Sequence, residues 1–289
     1  MPLQRTSYSG PAYLAAVTEL LQRARLEDGD AGMWEAADLQ WWWRTPRASD
    51  RLEQQFWTDA HGPAAAAAFT QWGDVWGCDP VVVPSLADEL LPTVWSSALQ
   101  TIRDLGLRSV ETLVREDDAR LLELLAGSAF VATDDTSGIS WMDAADRPPV
   151  APLPAGFTVL DRTQQPERPH PMVPRNGGDV EARLRTCSLY DPALDLAVVT
   201  ADGDVAGYTL FWLDPVSGVG LVEPVRVEEQ YWRRGLARAM LTGGLDRLAQ
   251  GGARRLKIGY ATDAARALYL SCGFRETATA RTYRLSLSG

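Results

Sequence analysis

The second half of the chain alternates between short apolar runs and stretches whose apolar positions repeat at helical spacing. Alternation bounded by Gly, Pro and Asp predicts strands at 157–162, 196–200, 205–212, 221–227, 255–260 and 278–287. Helical spacing predicts helices at 179–189, 235–250 and 263–271. Strands that precede a strand–helix–strand–helix–strand core predict a mixed α/β (α+β) domain.

The first half of the chain ends in a similar order of elements. Its pattern predicts strands at 78–83, 109–114 and 138–142 and helices at 91–106 and 117–126. In both halves a short amphipathic helix runs into a small residue and a phenylalanine, at 119–130 and at 265–274. This similarity favours a weak internal repeat, although any chain of strands and helices can yield one such pair. A proline-rich stretch at 147–154 predicts a linker, so we expect domains at 1–146 and 155–289.

The composition restricts the possible partners. The chain has 289 residues, of which 46% are hydrophobic and 23% charged, as is typical of a globular protein. Its formal net charge is −10, whereas general nucleic-acid binding needs a basic face, so we expect no nucleic-acid partner. The acidic charge favours a cationic small-molecule partner such as an amine. An acidic surface that merely keeps the protein in solution is the alternative explanation.

Neither a membrane segment nor a metal site is expected. No apolar run reaches the ~20 residues that span a bilayer, and the first residues lack the apolar region of a signal peptide. Three widely spaced cysteines indicate neither disulfides nor zinc, and two distant histidines suggest no metal cluster. These features are typical of a cytoplasmic protein. The oligomeric state stays open, and a monomer is compatible with the sequence.

One turn of the chain has a pattern suited to phosphate. A predicted strand runs into a short loop and Gly235 begins the next helix, where unpaired N–H groups form the positive end of the helix dipole. Arg233, Arg234 and Arg238 add three cations, which oppose the dipole unless a polyanion is bound. A solvated basic turn is the alternative. The glycine patterns of phosphate-loop NTPases and dinucleotide-binding folds are absent.

A second segment gives this turn a context. Tyr269 lies on the apolar face of the last predicted helix, and Gly273 is placed to end that helix. The stretches Trp232-Arg-Arg-Gly-Leu-Ala237 and Leu268-Tyr-Leu-Ser-Cys-Gly-Phe274 together resemble the signature of the GNAT superfamily of N-acetyltransferases. The resemblance covers roughly residues 155–287, and the arrangement is similar to that of tandem, mycothiol-synthase-like GNAT proteins.

The resemblance implies a fold and a reaction. The fold would be two tandem GNAT-like domains, each a mixed, mostly antiparallel twisted sheet flanked by helices. The reaction would be acyl transfer from acetyl-CoA, or another acyl-CoA, to a small-molecule amine, without a metal. Tyr269 would protonate the departing thiolate, and Glu223 would deprotonate the amine, directly or through water; a partly solvated strand residue is the alternative for Glu223. The implied cofactor-binding residues are Val225, Arg226, Val227, Arg233, Arg234, Gly235, Leu236, Ala237, Arg238 and Thr262.

Three positions of the implied site need comment. Pro224 cannot donate to a ladder, which suits a fourth strand that separates from its neighbour so that Val225–Val227 can pair with the pantetheine arm. Trp232 stands where Gln or Arg is usual in the family, at a position that contributes mainly backbone, so we discount this departure. Thr262 stands where many relatives have a cofactor-contacting asparagine, so its hydroxyl either replaces that contact or the contact is lost.

The first half lacks these features. After the predicted strand 78–83 comes Pro-Ser-Leu-Ala-Asp-Glu, which has no glycine or arginine and two acids that repel phosphate. Leu124 or Leu125 stands at the tyrosine position. We therefore expect a degenerate N-terminal domain without a cofactor site, whose tryptophans at 41–43, 57, 72 and 76 either line an acceptor pocket or belong to the core. A non-catalytic module that binds acyl-CoA or another protein is the alternative function for the chain.

Overall fold

The computed structural model describes residues 3–30 and 32–287. The chain divides into two compact units. The N-terminal unit comprises Met1–Leu39, Pro46–Ser137 and Ala278–Gly289, and the C-terminal unit comprises Gln40–Thr45 and Gly138–Thr277.

Strands and helices follow one another in the same order in both halves of the chain. The first half contains β1 (Gln4–Tyr8), α1 (Gly10–Glu27), α2 (Ala36–Trp43), β2 (Gln54–Asp59), β3 (Gly62–Trp72), β4 (Val75–Val82), α3 (Ala87–Asp104), β5 (Ser109–Arg115), α4 (Ala119–Ala126) and β6 (Val131–Asp143). The second half contains β7 (Phe157–Asp161), α5 (Val173–Asn176), α6 (Val180–Leu184), β8 (Asp195–Thr200), β9 (Val205–Asp214), β10 (Val219–Val227), α7 (Leu236–Gln250), β11 (Arg255–Tyr260), α8 (Asp263–Ser271) and β12 (Arg275–Ser286). The predicted internal repeat is thus confirmed at the level of secondary structure.

Each unit is built on a mixed sheet of the same topology. In the N-terminal unit the order is β1-β2-β3-β4-β5-β12, with β4 and β5 parallel and the other neighbours antiparallel. In the C-terminal unit the order is β7-β8-β9-β10-β11-β6, and here β10 and β11 are the parallel pair. Each unit therefore takes its last strand from the other half of the chain. The predicted domains 1–146 and 155–289 are consecutive segments of the chain, without this exchange of strands. Their boundaries stay a prediction.

The observed elements differ from the predicted ones mainly where polar residues end a helix early or mask the pattern of a strand in the sequence. The helix predicted at 179–189 is limited to α6, because Thr186, Cys187 and Ser188 are weak helix formers that follow it as turns. The strand predicted at 138–142 is the apolar end of the longer β6, whose first part is polar and exposed. Of the tryptophans, Trp41 and Trp57 are buried, whereas Trp72 is 39% exposed.

Helix α7 is held on the sheet of the C-terminal unit by one apolar face. Leu236 and Met240 pack with residues of β8 and β9, and Leu245 packs with Phe211 and residues of β10 and β11. Complete burial of a leucine stabilises the fold by ~1.5–3 kcal/mol. Gly244 allows the close approach, since a Cβ there would lie 1.9 Å from the ring of Phe211. This packing fixes the N-terminus of α7 beside the end of β10.

Candidate active site

The candidate site begins where β10 separates from β11. Val219–Val222 pair with both neighbouring strands, but the parallel register with β11 ends at Val222. The register with β9 shifts between Val222 and Val225, where the Glu223–Pro224 peptide bond is cis, and then continues through Val227. The edge of β10 that faces away from β9 is therefore open from Val225 to Val227, as the proline predicts.

The backbone direction of this open edge follows from two hydrogen bonds. The N–H of Glu228 donates to Ala206 O at 2.9 Å, on the β9 side. Because backbone groups alternate in direction along a strand, those of Val225 and Val227 point to the open edge. The indole Nε1–H of Trp232 donates to Val227 O at 2.8 Å from that edge. The side chain of Trp232, a residue that the sequence interpretation discounted, thus contacts this edge.

The turn after β10 presents backbone amides and positive charge together. Arg233 and Gly235 have positive φ angles of 60° and 79°, and α7 starts directly after them. Positive φ suits glycine, and no other group lies within 4 Å of where a Cβ of Gly235 would be. The first bond of the helix runs from Ala239 N–H to Gly235 O at 3.0 Å. The amides of residues 236–238 thus have no helical partner and lie at the positive end of the helix dipole.

The three arginines of the turn have different surroundings. The guanidinium of Arg234 lies 5.6 Å from the ring centre of Tyr231, and Arg233 is exposed at the turn. Arg238 donates to Ser271 O at 3.1 Å and to Ser271 Oγ at 2.9 Å, so it connects α7 to the end of α8. Arg233 and Arg234 are therefore better placed than Arg238 for an incoming anion.

Helix α8 positions Tyr269 and Thr262. Thr262 is the N-cap, and its hydroxyl oxygen accepts from Ala265 N–H at 3.3 Å, which gives it a structural role in addition to the predicted cofactor contact. The Tyr269 ring is 7% exposed and lies 6.4 Å from the Tyr260 ring and 6.5 Å from the Phe274 ring. Its hydroxyl makes no hydrogen bond with any residue that the structure describes.

The electrostatics connect Tyr269 to Glu223. Burial raises the pKa of Tyr269 well above its ordinary value, and the negative charges of Glu223 and then Cys272 raise the pKa further. Tyr269 is therefore protonated at neutral pH and can donate a proton. Glu223 is half-buried at the irregular point of β10, where its carbonyl accepts from the Trp212 indole at 3.0 Å. Tyr269 belongs to the apolar cluster that contains Val222, and Val225 packs against that cluster, so Tyr269 lies near the part of β10 that carries Glu223.

The arrangement fits acyl-CoA in its chemistry. An open strand edge can bond an amide-containing arm, and the turn at 233–238 supplies amides and cations for phosphates. No cluster of three or more His, Cys, Asp or Glu residues that could hold a metal was found in the described part of the chain. Within that part, no helix is long and apolar enough to span a membrane. Trp212 and Trp232 were missed as site residues, because only the register of β10 shows what their indoles contact.

Comparisons with known proteins bear on this site directly. Residues 158–274 match the model of the acetyltransferase (GNAT) family, and this segment contains every predicted site residue. A mycothiol acetyltransferase from Clavibacter michiganensis subsp. michiganensis is 36% identical over 109 residues. That match covers 37% of this chain and 35% of the relative, so it spans about a third of the relative's length.

Solved structures extend the likeness to the whole chain. A tandem GNAT protein from the clavulanic acid biosynthesis pathway has a TM-score of 0.72 at 14% identity, and the match covers 100% of this chain and 99% of that one. A GCN5-related N-acetyltransferase from Sphaerobacter thermophilus has a TM-score of 0.65 at 19% identity, with 98% and 95% covered. Identities this low show the fold alone, which confirms the predicted tandem fold. Residues 158–274 thus match the acetyltransferase (GNAT) family, and the whole chain has the fold of a tandem GNAT protein.

Proposed function

We propose that this chain is an acyl-CoA-dependent N-acyltransferase, whose C-terminal unit transfers an acetyl group from acetyl-CoA to the amine of a small molecule by direct attack. The observation that carries the proposal is the open edge of β10 from Val225 to Val227, which leads directly into the amide- and arginine-bearing turn before α7. The net charge of −10 favours a cationic acceptor. We place the protein in the cytoplasm, since its three cysteines are free and buried.

The open edge and the turn would hold the acyl-CoA. The backbone groups of Val225 and Val227 would form hydrogen bonds with the pantetheine arm. The hydrogen bond from the Trp232 indole to Val227 O would have to break first. The amides of residues 236–238, with Arg233 and Arg234, would bind the phosphates. Bound acetyl-CoA supplies the thioester. Holding the amine beside that thioester contributes to the rate independently of any proton transfer.

Two protons move in the proposed reaction. Glu223 takes a proton from the amine, directly or through water, while the new C–N bond forms and the C–S bond breaks. Tyr269 donates its proton to the departing sulfur and regains one from solvent. Protonation of Glu223 removes a negative charge that raises the pKa of Tyr269. The base step therefore makes Tyr269 a stronger acid when the thiolate forms.

Thiol release measured with acetyl-CoA and a panel of amines tests the proposal. Glu223→Gln is the matched variant. We expect at least one amine to be acetylated, and turnover to fall ~10²–10⁴-fold in the variant with little change in acetyl-CoA affinity. Calorimetry on the intact chain should give one CoA per chain. Binding of acetyl-CoA without turnover of any amine would favour the non-catalytic module instead.

A further inference from the structure

The N-terminal unit contains a cavity that the proposed reaction does not use. Its volume is about 260 Å³, and it lies among α1, β4, β5, α4 and the loop that precedes α2. Much of its wall is apolar, with contributions from Leu21, Val81, Val82, Leu113 and Leu121. Ligand pockets usually measure ~300–1,000 Å³, so this cavity suits a small molecule with an apolar body.

The cavity lies where β4 separates from β5. The parallel register between these strands covers Trp76 and Gly77 and then ends. Asp79 and Pro80 follow in β4. They form an acid–proline pair like Glu223 and Pro224 of β10, which follow Val222, the last residue of β10 that pairs with β11. Asp79 lines the cavity and is 6% exposed. The N-terminal unit thus has both a gap between these strands and an acid in that gap.

The charges around the cavity leave Asp79 without a cation. Three arginines line the cavity, and each is paired with an acid outside the lining: Arg25 with Glu35, Arg115 with Asp117, and Arg120 with Asp88. Among the residues that the structure describes, no cation pairs with the Asp79 carboxyl. Burial raises the pKa of Asp79 to about 7; the neighbouring Trp34 indole opposes this shift and Asp38 adds to it. A cationic ligand would offset the cost of ionising this buried acid.

A polyanion is a poor occupant of the cavity. The stretch after β4 contains Pro84, which has no N–H, and α3 carries Asp88 and Glu89 in its first turn. Negative side chains there compete with an anion for the helix dipole. The turn that would bind phosphate in the C-terminal unit therefore has no counterpart here.

We propose that this cavity is a second ligand site, which binds a small primary amine with an apolar body through a charge-assisted hydrogen bond to Asp79. The cavity walls bury the body of the ligand, and the carboxylate fixes its ammonium group. The site lies wholly within the N-terminal unit, so the proposal does not depend on the acyltransferase reaction.

Calorimetry on the intact protein without acyl-CoA tests this proposal. The probes are n-butylamine, cyclohexylamine and 2-phenylethylamine, each compared with the alcohol of the same carbon skeleton. We expect at least one amine to bind more tightly than its alcohol. Asp79→Asn should weaken that amine ~10–100-fold and change the affinity of the alcohol less than ~2-fold. Ala24→Phe, which fills the cavity, should abolish both.

The pH dependence gives a second readout. A protonated Asp79 cannot pair with an ammonium group, so amine affinity should fall below pH 7 by up to ~10-fold per unit, and Asp79→Asn should remove this dependence. The other titratable or charged groups near Asp79 or in the cavity lining are Tyr13, Arg25 and Asp28 on or beside α1, Asp38 on α2, Cys78 on β4, Arg115 on β5, and Asp118 and Arg120 at α4.

Glu223→Gln separates this site from the proposed acceptor site. Binding that depends on Asp79 should be unchanged in Glu223→Gln, and the acyltransferase rate should be unchanged in Asp79→Asn. The proposal is overturned if none of the three amines binds, or if every amine that binds does so equally well in Asp79→Asn. Failure to find acyltransferase activity would leave the amine result intact.

Discussion

The change Tyr269→Phe separates catalysis from folding. The Tyr269 hydroxyl has no hydrogen-bond partner among the described residues, whereas its ring is buried beside Tyr260 and Phe274. Phenylalanine keeps the ring and loses only the hydroxyl. Since no internal hydrogen bond is lost, the free energy of unfolding should change by less than ~1 kcal/mol. A large loss of activity in this variant therefore cannot be attributed to packing.

The size of the expected loss follows from the leaving group. One general acid typically contributes ~10²–10⁴-fold to a rate. A thiol has a pKa of ~8.5, so its thiolate leaves tolerably without help and the contribution should lie low in that range. We expect turnover to drop ~10–1,000-fold, while the affinity for acetyl-CoA changes less than ~2-fold, because the hydroxyl acts as the thiolate forms.

Rapid thiol-release kinetics with a true amine substrate provide the measurement. The matched control is Tyr260→Phe, which removes a buried and unpartnered hydroxyl from the neighbouring ring and should keep turnover within ~2-fold. An acid must be protonated to act, and the raised pKa of Tyr269 keeps it protonated, so the wild-type rate should not fall as pH approaches ~10. Parental turnover in Tyr269→Phe, with chemistry rate-limiting, would refute the mechanism.

Three further predictions concern the turn and the helix that supports it. Arg233→Glu with Arg234→Glu should weaken CoA far more than phosphate-free pantetheine in calorimetry, and equal losses would indicate a damaged fold. Trp232→Phe removes the indole N–H that occupies a carbonyl of the open edge, so CoA should bind ~2–10-fold more tightly; unchanged or weaker binding contradicts that role. Gly244→Ala should destabilise the protein by ~1–3 kcal/mol in urea unfolding, whereas Gly243→Ala, with no group closer than 4.0 Å, should not.

The local elements of the site could be predicted because their signals are strong and short-range. The observed α8 has the predicted bounds, since Thr262 caps its start and Gly273 follows its end. The observed α7 starts one residue after the predicted one, because Gly235 is the N-cap. A strand, a glycine turn and an amphipathic helix each depend on neighbours within a few residues. The chemical roles of Glu223 and Tyr269 stay predictions.

The features that were missed depend on contacts between distant residues. The Trp232 indole reaches Val227 only because the register of β10 turns that carbonyl away from β9. The exchange of last strands brings Gly138 opposite Tyr260, which no local pattern records. The cavity beside Asp79 arises from the early end of the β4–β5 register, and a sequence shows an acid in a strand without showing the gap beside it.

The two proposals assign different ligand chemistries to units of the same topology. In both, the parallel pair of strands separates before an acid, Glu223 or Asp79, so the fold itself supplies the gap and the carboxyl. The residues that follow each acid differ between the units, and they would determine the charge of the ligand that binds in the gap. Gly235 exposes amides at a helix N-terminus among arginines, whereas Pro84 lacks an N–H and Asp88 places an acid in the first turn of the helix. In the described N-terminal unit there is no such phosphate turn, so the acid is the dominant charge of the cleft, which favours a cation.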